Sequence, residues 1–309
     1  MTIKRLTKSE NQFLDHFPEE TAFFVRGKLP EKRVLTVAIV GSRKPTKYGE
    51  ETAYSVAYEL ARQGVVVISG LAIGVDAAAH RGALDAGGTT MAVLASGVDK
   101  ITPWANTTLG ERILASDSAI ISEYPNGTQA FASNLLARNR VVSGLADAVI
   151  IAEAAAKSGT LATARHAMRQ GRPIFVVPGR LTDKMSAGCL LLLEKYPEKV
   201  HIFTSANSLL SSLPALHFSA DIGEGISPLA PRDARSNSPH SRPQNASASR
   251  EERNSRGVKA AHILPKNARA SHQVQDLIRS GANSTEITEQ LGISASELAI
   301  IQTELELFG

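Results

Sequence analysis

The 309-residue chain is poor in the residues on which several classes of protein depend. It holds one cysteine, Cys189, so no internal disulfide can form. No His, Cys and carboxylate grouping has metal-ligand spacing, which excludes a structural metal of the usual kinds. Aromatic residues make up only 5% of the chain. No run approaches the roughly 18 consecutive apolar residues of a membrane span. The opening Met1-Thr2-Ile3-Lys4-Arg5-Leu6-Thr7-Lys8 lacks the apolar core of a secretory signal. Neither the GxGxxG nor the GxxxxGK(S/T) phosphate loop occurs. These absences lead us to expect a cytoplasmic protein with no membrane partner and no cofactor. A formal net charge of +4 is too mild to point to nucleic acid by itself.

What is present is alternation. Short apolar runs at 34–40, 65–69, 89–95, 119–122, 148–152, 173–177 and 200–203 are separated by stretches of helical length, such as 50–63, 131–145 and 160–170. Each run is apolar almost continuously, as in strands covered on both faces. Strands alternating with helices give a doubly wound, mostly parallel α/β sheet over residues 34–213, after an N-terminal extension of residues 1–33.

The C-terminal third reads differently. Residues 231–256 contain no aliphatic or aromatic side chain larger than alanine. Burial there cannot offset the entropy of ordering, so 214–270 reads as a disordered linker. Beyond it, Val274, Leu277 and Ile278, then Ile287 and Leu291, then Leu298, Ile301 and Leu305 mark three short amphipathic helices. Asn283-x-x-Glu286 and Ser294-x-x-Glu297 are capping boxes, with Gly292 in the turn between. This is a small helix-turn-helix pattern at 271–309. Its third helix carries Glu297, Glu304 and Glu306 without a cation, which favours a protein contact over DNA reading.

Ligands of an open parallel sheet bind beyond the carboxyl ends of its strands. The candidate loops there are Gly41-Ser42-Arg43, Gly70 to Asp76 through Gly74, Ser96 to Lys100, Glu123 to Gly127, and Glu153 to Thr160 through Lys157-Ser158-Gly159. Each brings glycine, a hydroxyl or a cation. Gly70 and Gly74 are suited to close backbone approach by a ligand, and Asp76 to capping N–H groups. Together the loops point to a phosphate-bearing ligand. Ala137-Arg138-Asn139-Arg140 adds two arginines about 200° apart on a helix, so one faces the ligand while the other pins the helix or meets a second phosphate. His80 reads as a structural hydrogen-bonding residue rather than a base.

Gly41-Ser-Arg43 with Tyr48-Gly49, Ser69-Gly-Leu-Ala-x-Gly74-x-Asp76 with His80, Ser122-Glu-x-Pro-x-Gly-Thr128, Ala137-Arg-Asn-Arg140, Glu153 with Ser158-Gly-Thr160, and Val177-Pro-Gly179 occur in this order. This set resembles the DNA-processing protein A (DprA/Smf) family over about residues 36–188. The resemblance implies a non-catalytic, Rossmann-like domain that binds single-stranded DNA, acts as a homodimer and helps load RecA recombinase in natural transformation. It implies phosphate contacts from Arg43, Lys100, Arg138, Arg140 and Lys157, with donors from Gly41, Ser42, Gly70, Gly74, Asn139, Ser158 and Gly159. It also implies a winged-helix-like C-terminal module, whose wing is absent here. After Gly188-Cys189 the chain departs from the family pattern, which bears on the far edge of the sheet. Two other readings stand beside this one: a nucleotide-binding sensor or adaptor, and a phosphoribohydrolase-like enzyme. In the latter, Thr163 occupies the place of the catalytic glutamate.

Overall fold

The computed structural model describes residues 2–213 and 282–293, with 273, 274, 277, 278, 280 and 298. The expected linker and most of the last expected helix lie outside the described residues.

All seven apolar runs become parallel strands: β3 (Thr36–Gly41), β4 (Val66–Ser69), β5 (Thr90–Val93), β6 (Ala119–Ser122), β7 (Ala148–Glu153), β8 (Ile174–Val176) and β9 (Val200–Ile202). Two further strands precede them, β1 (Ile3–Leu6) and β2 (Phe23–Gly27). They extend the sheet antiparallel from β6, giving the order β1-β2-β6-β5-β4-β3-β7-β8-β9. The residues read as an N-terminal extension thus contribute two strands to the sheet. The far edge, at which the chain departs from the family pattern, is closed by β9 on β8.

Continuous apolarity has its expected cause. In β3, Ala38 and Val40 face one core while Val37 and Ile39 face the other; β7 alternates in the same way. One layer comprises α1 (Lys47–Arg62), α2 (Val75–Asp85), α3 (Thr107–Leu114) and α7 (Ala206–Ser212). The opposite layer comprises α4 (Ala132–Leu145), α5 (Thr160–Arg169) and α6 (Ala187–Lys195), with Phe13, Leu14 and Phe17 beside them. Among the described C-terminal residues, α8 (Ser284–Leu291) starts on the Asn283–Glu286 capping box and ends on Gly292 in the left-handed region at φ +62°. Val274, Ile287 and Leu298 share a small apolar cluster.

The amino ends of β3 and β7 are fastened together by a buried carboxylate. Asp147 accepts from the Thr36 N–H at 2.8 Å, from the Thr36 hydroxyl at 3.0 Å and from Arg33 at 2.5 Å. Arg33 also donates to the Leu145 carbonyl and lies over the Phe13 ring. The first strands are therefore bound into the core as well as into the sheet. Replacing the fully buried Phe13 with Ala should cost about 3–5 kcal/mol of stability, the usual range for emptying a buried phenylalanine site. Urea unfolding of the full chain measures this, and a loss below about 1 kcal/mol would show that the segment lies outside the cooperative unit.

Candidate nucleic-acid interface

Strand order fixes where a ligand can enter. From β3 the chain winds outward through β4, β5 and β6, then returns to β7 on the other side of β3 and winds the opposite way. The loops after β3 and β7 therefore diverge and leave a crevice at this reversal. Ser42 and Arg43 belong to the loop after β3, and Lys157, Ser158 and Gly159 to the loop after β7. Arg43, Lys157 and Gly159 are exposed, whereas Ser42 and Ser158 are partly covered. The Ser42 N–H donates to the Glu153 carbonyl at 2.9 Å, and its hydroxyl accepts from the Lys44 N–H at 3.0 Å, so the β3 loop is held to β7. Lys100 is exposed farther along the rim, after β5.

Three helices open near this crevice, and their N-termini differ in what they can accept. The positive end of α1 already meets a carboxylate: Glu153 accepts from the Thr46 N–H at 2.8 Å and from its hydroxyl at 2.6 Å. Asp76 accepts from the Gly70 and Ala72 N–H groups, so it braces the loop before α2 instead of capping the helix itself. By contrast, α5 opens at Gly159 beside Lys157 and Ser158, whose hydroxyl accepts from the Thr160 N–H at 3.1 Å, and its first turn holds no acidic residue. Of these three, α5 best fits an external anion.

Beneath the rim lies Arg138, only 5% exposed. Its Nη1 donates to the carbonyl of Gly70, at 2.7 Å, and to that of Val93, which ties the ends of β4 and β5 to α4. Burial lowers its pKa, Asp76 opposes that shift, and Arg43 adds to it. Burial likewise raises the Asp76 carboxyl, against the pull of Arg138 and of the Gly70 and Ala72 N–H groups. Of the two arginines on α4, Arg138 is thus the pin. Arg140 is half exposed and engages both oxygens of Glu123, at 2.6 and 2.7 Å. Asn139 donates to the Gly159 carbonyl at 3.4 Å and links α4 to the start of α5.

The rim glycines serve packing within the chain. A Cβ on Gly70 would overlap the Arg138 guanidinium, and one on Gly74, at φ +85°, would overlap the Ser42 carbonyl. A Cβ on Gly41 would crowd Val75 and the Glu153 carbonyl. The space read from sequence as room for a ligand at Gly70 and Gly74 is filled by the protein's own atoms. Between Gly70 and Gly74, buried Leu71 holds φ +56°, a strained value for a branched side chain.

His80 is fully buried, and its Nδ1 lies 2.7 Å from the Thr90 hydroxyl, which donates to the Val67 carbonyl. With its proton committed there, the hydroxyl must accept from Nδ1–H, which puts the proton of the neutral ring on Nδ1. Burial first, and the Arg138 charge second, hold its pKa at about 3, against an ordinary 6.5.

Sequence reading missed the apolar side chains displayed along the same rim. Ile73, Trp104, Phe131 and Leu181 are exposed in or beside the loops after β4, β5, β6 and β8, and Tyr48 is exposed at the start of α1. A signal was available for Trp104: the chain's one tryptophan directly follows Pro103 in a stretch between an apolar run and the next helix.

Two outcomes follow. Gly70→Ala should cost several kcal/mol, because it displaces a buried charge, whereas Gly159→Ala, with nothing within 4 Å of its Cβ, should stay within about 0.5 kcal/mol; chemical unfolding of both variants separates them. For His80, the unfolded chain takes up a proton below about pH 6.5 while the folded chain resists protonation until about pH 3. Stability therefore falls as pH drops through that window, by about 2 kcal/mol from this residue between pH 7 and pH 5. His80→Gln should remove that part of the slope, as unfolding curves at the two pH values will report.

Comparison with known proteins agrees with this architecture. The family model for DNA recombination-mediator protein A matches residues 11–214. DNA processing protein DprA of Streptococcus pneumoniae is 39% identical over 188 residues, 61% of this chain and 65% of that protein. Protein Smf of Escherichia coli is 37% identical over 204 residues, 66% of this chain and 54% of that protein. The chain thus matches between half and two thirds of the length of these relatives. The crystal structure of the Streptococcus pneumoniae protein superposes with TM-score 0.63 at 34% identity, covering 69% of this chain and 75% of that one. DNA processing protein A of Helicobacter pylori, solved in a study of its single-stranded DNA binding mode, superposes with TM-score 0.60 at 31% identity, covering 69% and 98%. Sequence and fold together place this chain in the DNA recombination-mediator protein A (DprA/Smf) family.

Proposed function

We propose that the chain binds single-stranded DNA through its backbone phosphates, without cutting it. The observation that carries this reading is that the loops after β3 and β7, on either side of the reversal of strand order, carry Ser42 and Arg43 and Lys157, Ser158 and Gly159. Backbone donors and cations so placed suit a repeating phosphate, and they carry no means of reading bases. The DNA-processing names of the relatives, and the single-stranded DNA of the Helicobacter pylori study, support the choice of ligand. Lys100 extends the cationic path along the rim. Arg138 and the three glycines support the path from beneath, and Asn139 holds the start of α5 in place.

A non-catalytic role is supported by how the rim spends its acids. Glu153 and Asp76 are both buried and engaged with backbone N–H groups, so neither is free for proton transfer. Thr163, at the place of a nucleosidase glutamate, is itself buried. We infer from family membership that the protein works in the cytoplasm as a dimer and delivers DNA to RecA recombinase.

Affinity for an oligothymidine should fall steeply with salt, and a duplex of equal length should bind more weakly. Arg43→Ala should weaken binding by about 1–3 kcal/mol and flatten the salt dependence by roughly one phosphate contact. Fluorescence anisotropy at several salt concentrations tests both, and salt-independent affinity or an unaffected Arg43→Ala protein would overturn the reading.

A further inference from the structure

Trp104 is 88% exposed, the highest value among the exposed large apolar side chains of the described residues. Its backbone, however, is firmly held. It begins a short 3-10 turn, Trp104–Asn106, and its carbonyl accepts from the Thr107 hydroxyl at 2.8 Å. Two residues on, the Asn106 side chain donates to the Leu71 carbonyl at 2.8 Å, which fastens the turn to the loop after β4. On the other side, the Thr102 and Ser96 hydroxyls lie 2.8 Å apart. An indole on a fixed turn, uncovered by its own chain, is a preorganised flat surface.

Its neighbours say what would cover it. Exposed Lys100 belongs to the same loop, and Ile73 and Phe131 stand on the loops of the two flanking strands, β4 and β6. Apolar surface on the loops after β6, β5 and β4 thus adjoins the cations Lys100 and Arg43 along one rim of the sheet. This is the composition of a single-strand track, where cations follow the backbone while aromatic faces take the bases.

We propose that Trp104 is a base-stacking residue, which holds an unpaired nucleobase of the strand whose phosphates pass the crevice. The inference rests on the DNA-binding reading and adds a contact that phosphates cannot make. It also supplies a physical reason for preferring single strands, because the bases of a duplex have no free face to offer.

The chain has one tryptophan, so intrinsic fluorescence reports this position alone. With the full chain, an oligothymidine should quench that emission, and an abasic deoxyribose-phosphate polymer of equal length should bind without quenching it. Trp104→Ala should bind the oligothymidine roughly 10- to 100-fold more weakly, with an unchanged salt slope, whereas Trp104→Phe should retain most of the affinity. Both variants should bind the abasic polymer as the parent does. Equal affinity of Trp104→Ala and parent for oligothymidine would overturn the stacking proposal, and so would equal quenching by the abasic polymer. An emission shift that tracks protein concentration without DNA would overturn it in favour of a contact between copies. Should Arg43→Ala weaken binding while Trp104→Ala does not, stacking alone fails; should the parent bind no DNA, both readings fail.

Discussion

One buried guanidinium organises the end of the sheet that matters. Arg138 reaches from α4 beneath the rim, takes the carbonyls of Gly70 and Val93, and lies near enough to Asp76 for each to shift the other's pKa. Desolvating such a charge is costly, and the structure offsets that cost only by keeping the strand ends and the carboxylate in place around it. The shape of the loop after β4, with Leu71 at positive φ, depends on this arrangement. Arg43, exposed above, sits within the electrostatic reach of the same charge.

Electrostatics then divides the rim into internal and external business. Acids that lie close to the crevice are turned inward onto N–H groups, and Glu123 is matched by Arg140. This keeps negative charge from the path of a polyanion while leaving cations displayed on several loops. Because interactions between exposed charges are screened over about a Debye length, such a path acts over the length of one or two nucleotides at physiological salt. On the proposed reading, affinity comes from repeated phosphate contacts along the rim.

Much of this was legible in the chain. Continuous apolar runs such as 148–152 announced strands covered on both faces, and the Asn283–Glu286 capping box announced α8. The switch-point residues Ser42, Arg43, Lys157, Ser158 and Gly159 followed from strand ends alone. The 200° offset of Arg138 and Arg140 was legible too, although not which of them turned inward, since that depends on the long-range placement of Gly70 and Val93. Glycines were misjudged for the same reason. A missing Cβ looks identical in sequence whether a ligand, a carbonyl or an arginine fills the gap. Strand β2 belongs to the sheet through antiparallel pairing with β6, a contact between residues far apart in the chain, and β1 joins it by pairing with β2.

The interlock of Gly70 and Arg138 also limits how this rim can diverge. A methyl at position 70 requires a shorter side chain at position 138, and a shorter side chain there would leave two carbonyls and Asp76 without their partner. Neither site can drift by single steps without passing through a damaged intermediate. Descendants should inherit the two residues as one unit, while the exposed cations above them remain free to move from loop to loop.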